Sequence, residues 1–278
     1  MADIKKIKLG ETTYDIRDAD AARVADAKIS SSSATTVAVG GIAKGTNLKD
    51  KSVAEVIEQI FFPYVAFSFS SISTTASSGT KEYGTSVTIS KVKPTFTAGS
   101  KAINSVKIGT TSGGSDLYLG TSATSGTNIT LTTNKVFNGT NGGTIYCTLS
   151  DGTKTLEKTA SVSYTYYTYY AVTDTPTAPT SWSLAKNSDG KAVGSGVEGI
   201  VIDANAGQYV WLASGNSNYT GICELNELSG KYNTASSIVK SSNQTLVNSQ
   251  SYTCTNKYTF YRLEAPRTGS GESTFKLS

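Results

Sequence analysis

From about residue 66 onward the chain is written in short alternating runs broken by turn residues, a pattern that restricts it to packed β-sheets. Between 66 and 165 the runs fall at 66–70, 86–90, 105–108, 128–132, 144–149 and 160–164. Ser78-Gly79, Asn138-Gly139, Asn141-Gly142-Gly143 and Asp151-Gly152 punctuate them, since Gly and Asn reach turn conformations at little steric cost. Ile145, Cys147 and Leu149 alternate on one face. This spacing predicts a β-sandwich of the immunoglobulin-like kind. Beyond 180, runs at 200–202, 208–212, 222–225, 245–247, 257–262 and 273–277 predict a second small β domain. There Tyr258, Phe260 and Arg262 alternate against Thr259 and Tyr261, and Phe275 and Leu277 point inward.

The Tyr-rich run at 164–170 joins the two. As one strand it puts Tyr164, Tyr166 and Tyr170 on one side and Tyr167 and Tyr169 on the other. Two readings stand: rings packed where one domain ends and the next begins, or an aromatic platform for sugar rings.

Only the stretch before residue 66 departs from this texture. Residues 48–65, LKDKSVAEVIEQIFFPYV, carry a helical period. Ser52 and Glu55 form a capping box, and Pro63 stops the helix because proline lacks the donor and clashes with the preceding turn. Val53, Val56, Ile57, Ile60 and Phe61 form one apolar stripe. A helix of about three turns is marginal alone, so the stripe needs cover. A β module, another copy of the chain or a docking partner would each serve. Upstream, 6–9 and 13–17 read as a small hairpin bearing Ile7, Leu9, Tyr14 and Ile16. Residues 19–27 are Ala-rich with helical propensity, 30–33 read as a linker, and 35–39 read as a short strand. The expected layout is therefore an N-terminal anchor and linker at 1–47, an amphipathic helix at 48–65, a sandwich at 66–170 and a distal β domain at 171–278.

Composition narrows the chemistry. The 278 residues include no histidine, which removes Ser-His-Asp and Cys-His nucleophiles and the HExxH zinc motif. Cys147, Cys223 and Cys254 are too far apart for a CxxC pair. They read as reduced buried thiols, or as one Cys223–Cys254 bridge beside a free thiol. A net charge of +4 without a basic cluster gives no nucleic-acid footprint. No apolar run approaches the roughly 18 residues that a membrane span needs, and no secretory h-region follows the early lysines. Glu224, Glu227 and Asp203 are the carboxylates that invite a glycosidase reading, but they read as ordinary exposed charges. No catalytic set, metal or cofactor is expected. Tyr209, Trp211 and Tyr219 supply rings for a glycan contact, with core packing as the competing reading for Trp182 and Trp211.

Three segments together resemble structural proteins of tailed bacteriophages, especially phages of gut Bacteroidetes, including the crAss-like group. KIKLGETTYDIRDADAAR at 6–23 is similar to N-terminal segments of phage fibre and baseplate-type proteins. KGTNLKDKSVAEVIEQIFFPYV at 44–65 is similar to a helix that precedes an Ig-like domain in such proteins. QYVWLASG at 208–215 with KYTFYRLEAPRTGSGESTFKL at 257–277 resembles a terminal β domain of phage appendages. The resemblance implies a non-enzymatic virion protein made in the bacterial cytoplasm. It would be a homotrimer docked on the capsid or another virion protein through its N-terminal part, as a head fibre or as a tail or baseplate appendage. Its C-terminal tip would touch host surface polysaccharide. A carbohydrate-binding module outside any virion is the reading from another class.

Overall fold

The computed structural model describes residues 6–9, 12–15, 27–29, 35, 38–215, 218–226 and 228–278. The chain is mainly β. Strands β1 (Lys6–Leu9) and β2 (Thr12–Asp15) form an antiparallel hairpin. The expected strand over 13–17 thus starts one residue earlier, and its last residues lie outside the described ones, as do 30–33 and most of 19–27. Of the expected strand at 35–39, residues 36 and 37 lie outside the described ones, and Val39 makes an isolated bridge to Ile42. Helix α1 (Val53–Phe61) is shorter than the 48–65 segment that predicts it. The capping box forms as expected: Glu55 N donates to Ser52 Oγ at 3.2 Å, and Ser52 N donates to Glu55 Oε2 at 2.7 Å.

Strands β3 (Ser68–Thr74), β4 (Gly79–Glu82), β5 (Val87–Thr97), β6 (Ser105–Gly109), β7 (Tyr118–Gly120), β8 (Ile129–Phe137), β9 (Gly143–Ser150) and β10 (Thr155–Thr165) make a two-layer module. One layer runs β3-β5-β8 and the other β4-β10-β9-β6-β7. The chain changes layers between β3, antiparallel to β5, and β4, parallel to β10. Alternation explains the packing. Ile145, Cys147 and Leu149 are fully buried, as are Ile89 and Ile108, in one shared cluster. The outer face of the β10 layer carries hydroxyl pairs instead, Thr80 with Ser163 and Thr144 with Ser161.

Strands β11 (Tyr169–Thr173), β12 (Ser183–Leu184), β13 (Ile200–Ala204), β14 (Tyr209–Ser214), β15 (Ile222–Asn226), β16 (Lys231–Tyr232), β17 (Ile238–Val247), β18 (Thr253–Leu263) and β19 (Gly271–Leu277) make the second module. Its layers are β12-β11-β14-β18-β17 and β13-β19-β15-β16. The first layer is buried on both sides. Val210, Leu212 and Tyr261 face the inner cluster with Phe275 and Leu277, whereas Trp211, Ala213, Tyr258 and Phe260 belong to a second cluster. Simple alternation therefore does not separate buried from exposed positions on β18, where Tyr258 through Arg262 are all buried.

The Tyr-rich run is not one strand. Pairing stops at Thr165 and resumes at Tyr169, and the break lets both Tyr166 and Tyr167 join the cluster of Tyr169, correcting the expected sidedness. The rings pack at the junction of the two modules. Tyr83, at the end of β4, stacks on Tyr166 at 4.4 Å and lies parallel to Tyr252 at 6.3 Å. Below the rings sits Glu82, only 4% exposed. Its carboxylate accepts from the Tyr169 hydroxyl and the Ser249 hydroxyl. Ser249 N donates in turn to the Tyr169 oxygen at 2.6 Å, and Asn248 Nδ2 donates to Tyr83 O at 2.6 Å. Gly84 has φ +89, and a Cβ there would lie 2.6 Å from the Tyr252 Cβ, so the close approach of the modules requires glycine.

A buried carboxylate is costly unless its oxygens are satisfied, and here donors from the second module satisfy it. Glu82→Ala should therefore destabilise the protein by about 1–3 kcal/mol for each donor left buried without a partner. Urea unfolding measures this, and a midpoint equal to that of the unaltered protein would contradict the junction's role.

Candidate functional site

The base of the molecule is assembled around α1. Val53 N donates to Ala27 O at 3.0 Å, Ile29 N to Lys51 O at 3.0 Å, and Gly41 N to Gln59 O at 2.8 Å. The 39–42 turn thus rests on the end of the helix. Gly40 sits so close that a Cβ would lie 2.2 Å from Ile60 O. This small collar half-buries Val53, Val56 and Ile60, yet no residue of the helix is fully buried. Ile57 stays 49% exposed, Phe61 71% and Phe62 77%. Val39 and Val65 are exposed as well. Among the described residues, neither β module covers the stripe, so the option of packing against a β module is not the one taken.

Beyond Pro63 the chain is tied to the first module. The Tyr64 hydroxyl donates to Asp151 Oδ2 at 2.7 Å, Val65 N donates to Ser100 Oγ at 2.8 Å, and Ser100 N returns a bond to Val65 O at 2.8 Å. Lys101 Nζ lies 5.7 Å from the Tyr64 ring centroid. Burial, then the hydrogen bond to Asp151, pushes the Tyr64 phenol up to about 12. Burial opposes the charge of Asp151, but N–H donors of Lys154 and Thr153 and the Tyr64 hydroxyl hold its carboxyl below the usual range. Asp151 opens the β9–β10 turn, whereas Glu82 is paired in register with Thr165 at the far end of β10. The apolar base and the second module therefore lie at opposite ends of an eleven-residue strand, about 33 Å apart at the rise of a β-strand.

Of the expected anchor residues, Ile7 and Leu9 lie on β1 and Tyr14 on β2, with Ile7 opposite Tyr14 in register. Ile16 lies outside the described residues.

The three rings expected to contact glycan do not form one platform. Trp211 is 4% exposed, and its Nε1 donates to Thr173 Oγ1 at 2.8 Å. Trp182 is half-buried against Phe260 at 4.4 Å. Tyr219 packs against the inner cluster, 5.8 Å from Tyr261. Tyr209 is half-buried beside Trp211 on the layer's other face, and the Arg262 guanidinium lies 4.9 Å from its centroid. Sequence reasoning named Arg262 only as an alternating strand position; an arginine at an otherwise apolar register was the available signal.

Glu224, one of the carboxylates with a possible glycosidase role, is engaged by Arg267 Nη2 at 2.8 Å. Asp203 lies on β13, and Glu227 is outside the described residues. Among the described residues no three His, Cys, Asp or Glu side chains converge as a metal set, and no helix is long and apolar enough to cross a membrane. Cys147, Cys223 and Cys254 are free and buried, so the Cys223–Cys254 bridge is not formed. Burial pushes the Cys147 thiol up to about 12 and the Cys254 thiol up to about 11, which makes both poor nucleophiles.

No protein-family model and no curated protein matches the chain.

The base-to-module tie has a pH signature. Asp151 has a depressed folded value, so its contribution to stability is present above the ordinary carboxylate value of about 3.9 and is lost as pH falls through the folded one. The Tm difference between the unaltered protein and Asp151→Asn should be largest near neutrality and shrink below about pH 4. Other depressed carboxylates, Asp116 and Glu157, are present in both proteins and cancel. A difference independent of pH would contradict a charged Asp151 held by Lys154, Thr153 and Tyr64.

Proposed function

We propose that the protein is a non-enzymatic structural appendage of a tailed-phage particle, a homotrimeric head fibre held to the capsid by its N-terminal part. The observation that carries the reading is the polarity of the molecule. Large apolar side chains within and just after α1, Ile57, Phe61, Phe62 and Val65, are all exposed. A contiguous exposed apolar patch on a polar protein marks an association surface. From the helical base a β module and then a second β module extend, joined without a loose linker, which suits an element that stands off a surface. The strand order also supports an immunoglobulin-like spacer, with β4 parallel to β10 at the edge of one layer and β3-β5-β8 in the other.

Trimerisation covers the α1 stripe in this reading, and the remaining apolar surface seats on the particle. The second module then lies distal and meets host surface polysaccharide weakly. Three tips per fibre and many fibres per particle raise residence time by effective concentration rather than by one tight site.

The test is incorporation into particles. Ile57→Ser with Phe61→Ser changes side chains that neither β module buries, so each β module should fold as before while the variant is lost from purified particles. A second variant lacking residues 1–26 stops short of the Ala27 oxygen that binds Val53 N, and it should also be lost. Immunogold labelling of particles carrying the unaltered protein should decorate the capsid. Normal incorporation of both variants, or absence of the unaltered protein from particles, would overturn the reading.

A further inference from the structure

Two arginines of the second module, buried Arg262 and half-buried Arg267, are treated differently. Arg267 is bound on every side: Nη1 donates to Ala204 O at 2.9 Å and Gly271 O at 2.8 Å, while Nη2 donates to Glu224 Oε1 at 2.8 Å and Ser273 Oγ at 2.7 Å. That arginine is a structural clasp. Arg262 is 9% exposed and has no such set. Its one hydrogen bond among the described residues runs from Nη1 to the backbone oxygen of Glu264 at a long 3.4 Å. Its Nε is fully buried without a partner, and no carboxylate of the described residues is paired with it.

Aromatic rings replace the missing anion. The guanidinium carbon lies 4.9 Å from the Tyr209 centroid and 5.6 Å from that of Trp211. Trp211 sits directly across from Arg262 in the β14–β18 register, and its ring is fixed by the bond to Thr173. Rings over a guanidinium hold its plane but satisfy none of its N–H donors, which point outward in that plane. The side chain is thus pre-oriented with donors left over. A planar, fixed guanidinium is suited to a carboxylate, and with Nε buried and Nη1 turned to the Glu264 oxygen, the Nη2 end is the part left to meet one. The Asp174 carboxylate accepts from Gln208 Nε2 at 2.8 Å, and Glu264 contributes its backbone oxygen. Beside the cation, Tyr209 presents a half-buried ring, a surface on which a pyranose can lie.

We propose that Arg262, held over Tyr209 and Trp211 at the edge of the second cluster on the β14–β18 pair, is the recognition group of a subsite for a carboxylate-bearing sugar, such as a hexuronic acid within a polysaccharide. This deepens the glycan-contact part of the proposed function and rests on it. Arg262 fixes the sugar's carboxylate, and Tyr209 stacks on the ring. Affinity at one such subsite is low, falls as salt rises, and becomes useful through the number of copies.

The test uses the full-length chain titrated calorimetrically with oligogalacturonate and with maltooligosaccharide of equal length, at low and high salt. Oligogalacturonate should bind and the neutral oligosaccharide should not. Arg262→Gln should weaken binding at least tenfold, and Arg262→Lys should restore part of it. Because Arg262 is buried, circular dichroism must show each variant folded. Tyr209→Ala, which leaves the cation in place, should weaken binding independently. Acidic-sugar binding retained in folded Arg262→Gln and in Tyr209→Ala overturns the proposal. Binding of the neutral sugar alone overturns the acidic subsite and leaves the glycan contact standing. Binding of neither sugar overturns both. Equal binding of polyglutamate overturns the assignment to sugar.

Discussion

Everything distal to the first β module depends on one buried carboxylate. Glu82 ends β4 in the first module, and the groups that satisfy it, the hydroxyls of Tyr169 and Ser249, belong to the second. A carboxylate left dry and unpaired is far too costly to keep, so separating the modules would require rehydrating Glu82 and parting the Tyr83, Tyr166 and Tyr252 rings together. Each ring contact alone is worth only about 0.5–1.5 kcal/mol beyond its burial, but they break as a set. The orientation of the second module is therefore a property of the fold rather than of a linker.

The other end of β10 repeats the arrangement on a smaller scale. Tyr64 and the backbone of Val65 tie the helical base to Asp151 and Ser100. The contacts there are fewer and more exposed, and Asp151 draws its strength from N–H donors of its own turn. A base held by a few polar bonds, with Ile57 and Phe61 outside them, is consistent with a part whose final cover comes from elsewhere. The proposed assembly supplies that cover, because the apolar area that the fold leaves open at the base is what association would remove from water.

Much of this was legible from residue patterns, for identifiable reasons. The capping box at Ser52 and Glu55, the stop at Pro63 and the inward face of Ile145, Cys147 and Leu149 are local or period-two signals, and they appear as read. The short strands β4, β7, β12 and β16 were missed because two to four residues cannot display a period; long-range pairing alone makes them strands. The break inside the Tyr-rich run was missed because nothing local marks 166–168. Where the pairing stops, Tyr166 and Tyr167 pack into the junction cluster instead. On β18 alternation failed because both faces are covered, and Arg262 hid within it. Glu82 carried no local signal, since its partners lie 87 and 167 residues away.

The central claim is that the exposed stripe of α1 is covered by other copies of the same chain. The most direct measurement is the mass of the purified full-length protein by light scattering, taken beside that of Ile57→Ser with Phe61→Ser. The account predicts three times 29.1 kDa for the unaltered chain and a single chain's mass for the variant. A monomer in both cases, or an unchanged oligomer in the variant, would contradict it.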